Sequence, residues 1–273
     1  MPYIETTDKV AIHYEDVGSG PPLVLIHGWA MSERVWSFQT ESLSASHRLI
    51  SLDLRGHGRS SPGVGCALSA LADDVATVCE NLDLTATTLL GWSLGAQVAL
   101  SVVARIRARL SALILVGGTP MFTATDDYPH ALPATEARGM GVRLKRDYEK
   151  TMGEFFRGMF ADGEVSPEQN QRIVHSVLMG GRLPDRETAR GCLETLVKGD
   201  LRPLLSDIDL PTLLVHGSAD TICPPAASSF MAKALPDAEL HIMEGLGHAP
   251  FLSHPDEFDA LLGKFLKRIY GGN

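Results

Sequence analysis

The stretch that most limits what this chain can become is Leu89-Leu90-Gly91-Trp92-Ser93-Leu94-Gly95-Ala96. An apolar run from Ala86 to Leu90 enters it, and a helical run of small residues from Ala96 to Ala108 leaves it. A strand must therefore reverse sharply into a helix around one serine. Such a turn crowds the backbone, and Gly91 and Gly95 remove the side chains that would collide on either side of Ser93. The hydroxyl is then held outward at a helix start, where free amides favour developing negative charge. The same five residues would also suit an ordinary strand-to-helix turn with glycines for packing. What matters is which groups the other strands bring to the same edge.

Leu23-Val24-Leu25-Ile26, Leu110 to Val116 and Pro211 to Val215 are apolar runs of the kind that parallel strands show when buried on both faces. His47 to Asp53 and Glu239 to Met243 add two further strands. Ile4 to Glu15 alternates around Thr7-Asp8-Lys9 and predicts an N-terminal β-hairpin. Helices are expected from a Ser32 cap to about Leu43, with Trp36 and Leu43 inward, and over Ser69 to Asn81. Two more are expected, after Pro224-Pro225 and from Pro255 to near Tyr270. The alternation predicts an α/β fold: a mostly parallel central sheet with helices on both faces. Between Met121 and Leu201 the strand rhythm stops, and Met, Phe and charged residues recur at helical spacing. Residues 121–201 thus read as a helical lid insertion, with 1–120 and 202–273 forming the core.

Composition narrows the function classes. The 273 residues, 44% hydrophobic with 16 scattered prolines, fit a soluble globular protein. No apolar run approaches the ~20 residues that span a bilayer. Met1-Pro2-Tyr3-Ile4-Glu5 lacks a basic segment before an apolar core, so no secretory signal is expected and the chain reads as cytoplasmic. A net charge of -9 argues against general nucleic-acid binding. Cys66, Cys79, Cys192 and Cys223 show no C-x-x-C spacing and read as reduced thiols, not a disulfide framework or zinc site. No metal or organic cofactor is expected, and the chain is expected to be a monomer.

A serine hydroxyl needs a base to take its proton, and the base needs a carboxylate to orient it. Asp220 follows one buried strand and His248 the next, so both are expected at the edge that holds Ser93, in the chain order Ser, Asp, His. Asp53 is the main competing acid, but Arg55 and the nearby glycines point to a structural ion pair. Among the other histidines, His27 is expected to shape the loop after Ile26 and His57 to fix its turn. His216, His241 and His254 are expected to make structural hydrogen bonds. Two oxyanion donors are needed. The Leu94 amide supplies one in such a turn, and the Trp29 amide is the natural second. The Trp29 indole then lines an acyl pocket or packs in the core.

Gly91-Trp92-Ser93-Leu94-Gly95, His27-Gly28-Trp29, Asp53 to Ser60, Gly118-Thr119-Pro120 and His248 to Pro255 together resemble the α/β-hydrolase superfamily. More narrowly they resemble the family of pimeloyl-[acyl-carrier protein] methyl ester carboxylesterases of biotin synthesis. The resemblance covers nearly the whole chain. It implies release of methanol and the free acid from a pimeloyl methyl ester carried on acyl-carrier protein. It implies an oxyanion site at Trp29 and Leu94, and acyl contacts from a lid segment matching Phe155, Phe156, Arg157, Gly158 and Met159. It also implies docking of the acidic carrier on basic lid residues, here Arg138, Arg143, Lys145, Arg146, Lys150 and Arg157. Lys150 falls where the family tends to have arginine, and Glu154 departs from an expected basic position. A negative protein needs such a patch to hold an acidic partner. Arg143 with Arg146, and Arg146 with Lys150, have the spacing of helical neighbours, though Asp147, Glu149 and Glu154 dilute the charge. Epoxide hydrolase and haloalkane dehalogenase chemistry is disfavoured by a serine where those enzymes carry aspartate. A general short-chain esterase, a carbon–carbon bond hydrolase and a non-catalytic receptor of the same fold are the alternatives.

Overall fold

The apolar runs become strands of one eight-stranded sheet in the computed structural model, which describes residues 2–63, 65–179 and 181–271. β1 (Tyr3–Glu5) and β2 (Ala11–Val17) form the expected hairpin. The parallel part comprises β3 (Pro22–Ile26), β4 (Arg48–Leu52), β5 (Thr87–Trp92), β6 (Leu110–Val116), β7 (Thr212–Gly217) and β8 (Ala238–Met243). The order is β1-β2-β4-β3-β5-β6-β7-β8, with β2 antiparallel to both its neighbours and every later pairing parallel. Leu23 to Ile26 are wholly buried at the centre, where each such side chain contributes about 1.5–3 kcal/mol. After β3 the chain steps to β4 on one side, then crosses back to β5 on the other. That reversal leaves a crevice beyond the carboxyl ends of β3 and β5.

The helices of the core are α1 (Ser37–Leu43), α2 (Leu68–Asn81) and α3 (Leu94–Ile106). Between β6 and β7 come α4 (Ala134–Arg146), α5 (Tyr148–Arg157), α6 (Pro167–Ile173) and α7 (Arg186–Lys198). Then follow α8 (Ala226–Ala234), the single turn α9 (Pro250–Ser253) and α10 (Pro255–Tyr270). α1 packs on α10 and α2 on α3. Ser32 stands at the expected cap position, but its side chain makes no capping hydrogen bond. It precedes a 3-10 turn over Glu33–Trp36, and the α-helix begins only at Ser37. Trp36 and Leu43 are buried as expected. Residues 121–201 contain four α-helices, a π-helical turn at Val174–Leu178 and no named strand among the described residues. Their two ends meet where Leu201 N–H donates to Pro120 O at 2.8 Å. Among the described residues no helix is long and apolar enough to cross a membrane.

Candidate active site

Ser93 follows β5 directly and holds φ 56°, ψ −116°, a strained conformation for a residue with a Cβ. The neighbouring glycines permit it. A Cβ on Gly91 would lie 2.2 Å from Gly95 O, and one on Gly95 would lie 2.2 Å from Ile26 O. The serine strand runs to Trp92 and its helix starts at Leu94, so the turn is tighter than the run Ala86 to Leu90 predicts. β3 lies beside β5, and Gly28 brings its trailing loop against the serine. A Cβ there would stand 3.2 Å from the Ser93 Cβ. The backbone N–H groups of Trp29 and Leu94 donate to no described residue. The Trp29 indole is buried and donates to Ala189 O on α7 at 2.8 Å, while its ring meets Phe155 edge to face at 4.8 Å. It packs against the insertion.

The carboxyl ends of β7 and β8 bring in the acid and base. His248 Nδ1 lies 2.7 Å from Asp220 Oδ2, with both side chains fully buried. The carboxylate fixes the proton on Nδ1 and leaves Nε2 as an acceptor. That atom is buried and makes no hydrogen bond among the described residues. The ring is held over the serine turn: Trp92 Nε1 donates to His248 O at 2.8 Å, and Gly117, one residue past the Val116 carbonyl that accepts Ser93 N–H, abuts the imidazole. A Cβ on Gly117 would come within 3.0 Å of Nδ1. Asp220 Oδ1 accepts the amides of Ile222 and Cys223 at 2.8 and 2.9 Å. Burial opposes ionisation of Asp220, but the closeness of His248 and hydrogen bonds from His216 and His248 hold the carboxyl well below the usual range. Two further side chains adjoin this cluster, His216 through the structural bonding expected of it and Cys223 with no signal in the sequence. His216 Nε2 lies 3.1 Å from Asp220 Oδ2, and the buried Cys223 thiol faces Ser93, its pKa raised by burial and by Asp220.

The remaining histidines are structural. His27 accepts Leu54 N–H at Nε2 (3.0 Å) and bonds Gly28 O through Nδ1 (2.7 Å), which shapes the loop that carries Trp29. His57 contacts Arg55 O, and burial beside His27 pushes its imidazole down to about 3. His216 binds Ser228 Oγ and Cys223 O, and His254 meets Ser253 Oγ. His241 differs from expectation: it is exposed on the edge strand β8 and makes no side-chain hydrogen bond among the described residues. The expected Asp53–Arg55 ion pair is also corrected. Asp53 contacts His13 Nδ1 at 2.9 Å and accepts the Glu33 and Arg59 amides, whereas Arg55 grips Asp74 and Asp8. A residue two places along a turn points elsewhere.

The segment from Phe155 to Met159 divides in two. Phe155 joins Phe122, Leu132, Met140, Thr221 and Ile222 around a cavity of ≈ 180 Å³ beside the Asp220 loop. Met159 is buried, and its carbonyl accepts the His248 amide at 2.7 Å. Phe156 and Arg157 instead line a second, mostly apolar cavity of ≈ 250 Å³ with Met31, Ile173 and Val177, and Gly158 is exposed on the wall of the first. Arg143, Arg146 and Lys150 surround a polar groove that shares Arg143, Thr151 and Glu154 with the first cavity. Arg146 and Lys150 are not neighbours on one helix: the chain breaks at Asp147, whose side chain caps α5. Arg138, Lys145 and Arg157 are exposed and lie outside that groove. Arg143 also meets Glu154 at 3.8 Å.

A carboxylate, an imidazole and a strained serine thus stand at the carboxyl ends of β7, β8 and β5, on one edge of the sheet. Residues 21–255 match the model of the α/β hydrolase fold family, and the chain belongs to that family. A solved esterase from Exiguobacterium antarcticum is superimposable with a TM-score of 0.90 at 29% identity, covering 97% of this chain and 98% of that one. The chain is an esterase of this fold, a carboxylic ester hydrolase by its relatives. It is 36% identical to the pimeloyl-[acyl-carrier protein] methyl ester esterase of Nitrosomonas europaea over 91% of this chain and 96% of that protein. The enzyme of the same description from Nitrosospira multiformis is 34% identical over 95% and 99%.

Proposed function

We propose that the chain is a cytoplasmic serine carboxylesterase that converts the methyl ester of pimeloyl-acyl-carrier protein to pimeloyl-acyl-carrier protein and methanol in biotin biosynthesis. The observation that carries the mechanism is the 2.7 Å contact of His248 Nδ1 with Asp220, which leaves Nε2 free beside the serine turn. His248 takes the Ser93 proton as Oγ attacks the ester carbonyl, and Asp220 stabilises the imidazolium. The Trp29 and Leu94 amides hold the tetrahedral oxyanion, each such donor worth about 10²–10³ in rate. His248 then protonates departing methoxide and activates the water that cleaves the acyl-enzyme.

Residues 121–201 act as the lid. The cavity at Phe155, Phe122 and Ile222 suits an acyl chain, and it adjoins the groove of Arg143, Arg146 and Lys150, which suits an acidic carrier. The names of the two curated relatives support the carrier-linked substrate. The likeness to an esterase structure supports a second reading, a general short-chain carboxylesterase.

Ser93→Ala should lower turnover of a p-nitrophenyl ester by ~10⁴-fold or more with an unchanged circular dichroism spectrum. Unchanged turnover removes the catalytic assignment. Rates on pimeloyl-carrier methyl ester and on simple esters, measured side by side, separate the two readings. A general esterase shows no preference for the carrier-linked substrate.

A further inference from the structure

Two of the four thiols meet where the core joins the insertion. Cys66 lies in the loop before α2 and Cys192 in the middle of α7; both are free and buried. Cys66 is pressed onto one face of that helix. Its Sγ lies 3.7 Å from Thr188 O, and its carbonyl accepts Thr195 Oγ1 at 2.5 Å. A Cβ on Gly191 would stand 3.6 Å from the Cys66 Sγ and 3.9 Å from its Cβ. Thr188, Gly191, Cys192 and Thr195 share a face at three- and four-residue spacing, which sets the Cys192 thiol beside that of Cys66. Cys66 thus lies against the α7 face that carries Cys192, the approach that a disulfide between the two requires.

The two thiols are not equivalent. A hydrogen bond from Cys192 lowers the Cys66 pKa, against the opposing effect of burial and with help from the Arg55 charge. Cys192 is driven the other way, by Cys66 and by burial. Cys66 also retains 9% exposure, whereas Cys192 has none. Cys66 is therefore the thiol that a small disulfide from solvent reaches first, with Cys192 behind it.

We propose that Cys66 and Cys192 form a thiol–disulfide exchange site for small-molecule disulfides, closing a reversible link between the core and α7. The Cys66 thiolate attacks one sulfur of the small disulfide and expels the other half as a thiolate. Cys192 then attacks the Cys66 sulfur of the mixed disulfide and expels the second half, which leaves as a thiol with the Cys192 proton. Two cysteine thiols are oxidised, and one small disulfide is reduced to two thiols.

The link has a consequence at the ester site. Ser93 is only 4% exposed, at the edge of the sheet that the insertion adjoins. α7 carries Ala189 O, the anchor of the Trp29 indole. Fastening α7 to Cys66 therefore pulls on the helix that seats Trp29, whose amide the proposed mechanism uses. This consequence for turnover rests on ester hydrolysis at Ser93, whereas the link itself does not.

The test incubates the whole protein with excess oxidised glutathione. A peptide map should join Cys66 to Cys192, with the mass lowered by the two thiol hydrogens. Most turnover of a short p-nitrophenyl ester should be lost, and dithiothreitol should restore it. Cys192→Ser should stop at a glutathione adduct on Cys66, and Cys66→Ser should keep its turnover under the same oxidant. Absence of the joined peptide overturns the proposal, as does a fully joined protein with undiminished turnover. The map needs no variant, so a serine substitution that folds poorly leaves the test intact. Failure of the Ser93 assignment is separately visible, because activity would then be unaffected by Ser93→Ala before any oxidation.

Discussion

Glu33 opens the 3-10 turn ahead of α1, and burial, with Asp53 and Glu15 nearby, pushes its carboxyl from 4.5 up to about 7. The folded protein therefore holds a proton that the unfolded chain gives up earlier. The stability this allows is fully present below pH 4.5 and is lost as pH rises toward 7. Glu33→Gln keeps the shape and removes the titration. Its thermal midpoint should match the parent below pH 4.5 and exceed it above pH 7. An equal offset at both ends would sink the argument from burial. At this scale sequence reads unevenly. Asp220 and His248 announce themselves because each follows an apolar run, and strand ends project to a known edge. The partner of Asp53 does not, since His13 arrives from β2, forty residues away in the chain. Nor does the Cys66–Cys192 neighbourhood, which depends on how an insertion folds back over the core.

The elements most visible in the sequence are those whose burial is complete. β6 occupies Leu110–Val116 and β3 differs by one residue from Leu23 to Ile26, because strands covered on both faces must be apolar throughout. Ends governed by turn geometry are harder to read. The Asp147 corner falls inside a stretch of uniform helical composition, and only the backbone there (φ −148°, ψ 91°) separates α4 from α5. That corner, not a single helix face, gathers Arg143, Arg146 and Lys150 into one groove. Reversing Arg143 and Arg146 to glutamate should slow a carrier-linked ester and spare a small free one. Its signature is a rise in KM that fades in high salt. Equal effects on both substrates would count against carrier docking there.

Across the whole molecule, one buried cation ties distant parts of the chain together. Arg55 bonds Asp74 on α2 through Nε and Nη2 at 2.7 and 2.6 Å, and Asp8 at the tip of the N-terminal hairpin through Nη1 at 2.9 Å. Burial keeps the Asp74 carboxyl raised even beside this guanidinium, so the pair spends its attraction on offsetting desolvation. Removing one partner strands the other. Arg55→Met should cost about 3–5 kcal/mol in urea unfolding, and adding Asp74→Leu should recover most of it. A single variant as stable as the parent would show that water reaches Asp74.

The His248 amide donates to Met159 O, and so does its neighbour Ala249, so the loop that holds the imidazole hangs from the helical segment above it. Any displacement of Met159 is thereby handed on to the imidazole, so the chain between α5 and α6 and the loop after β8 behave as one mechanical unit.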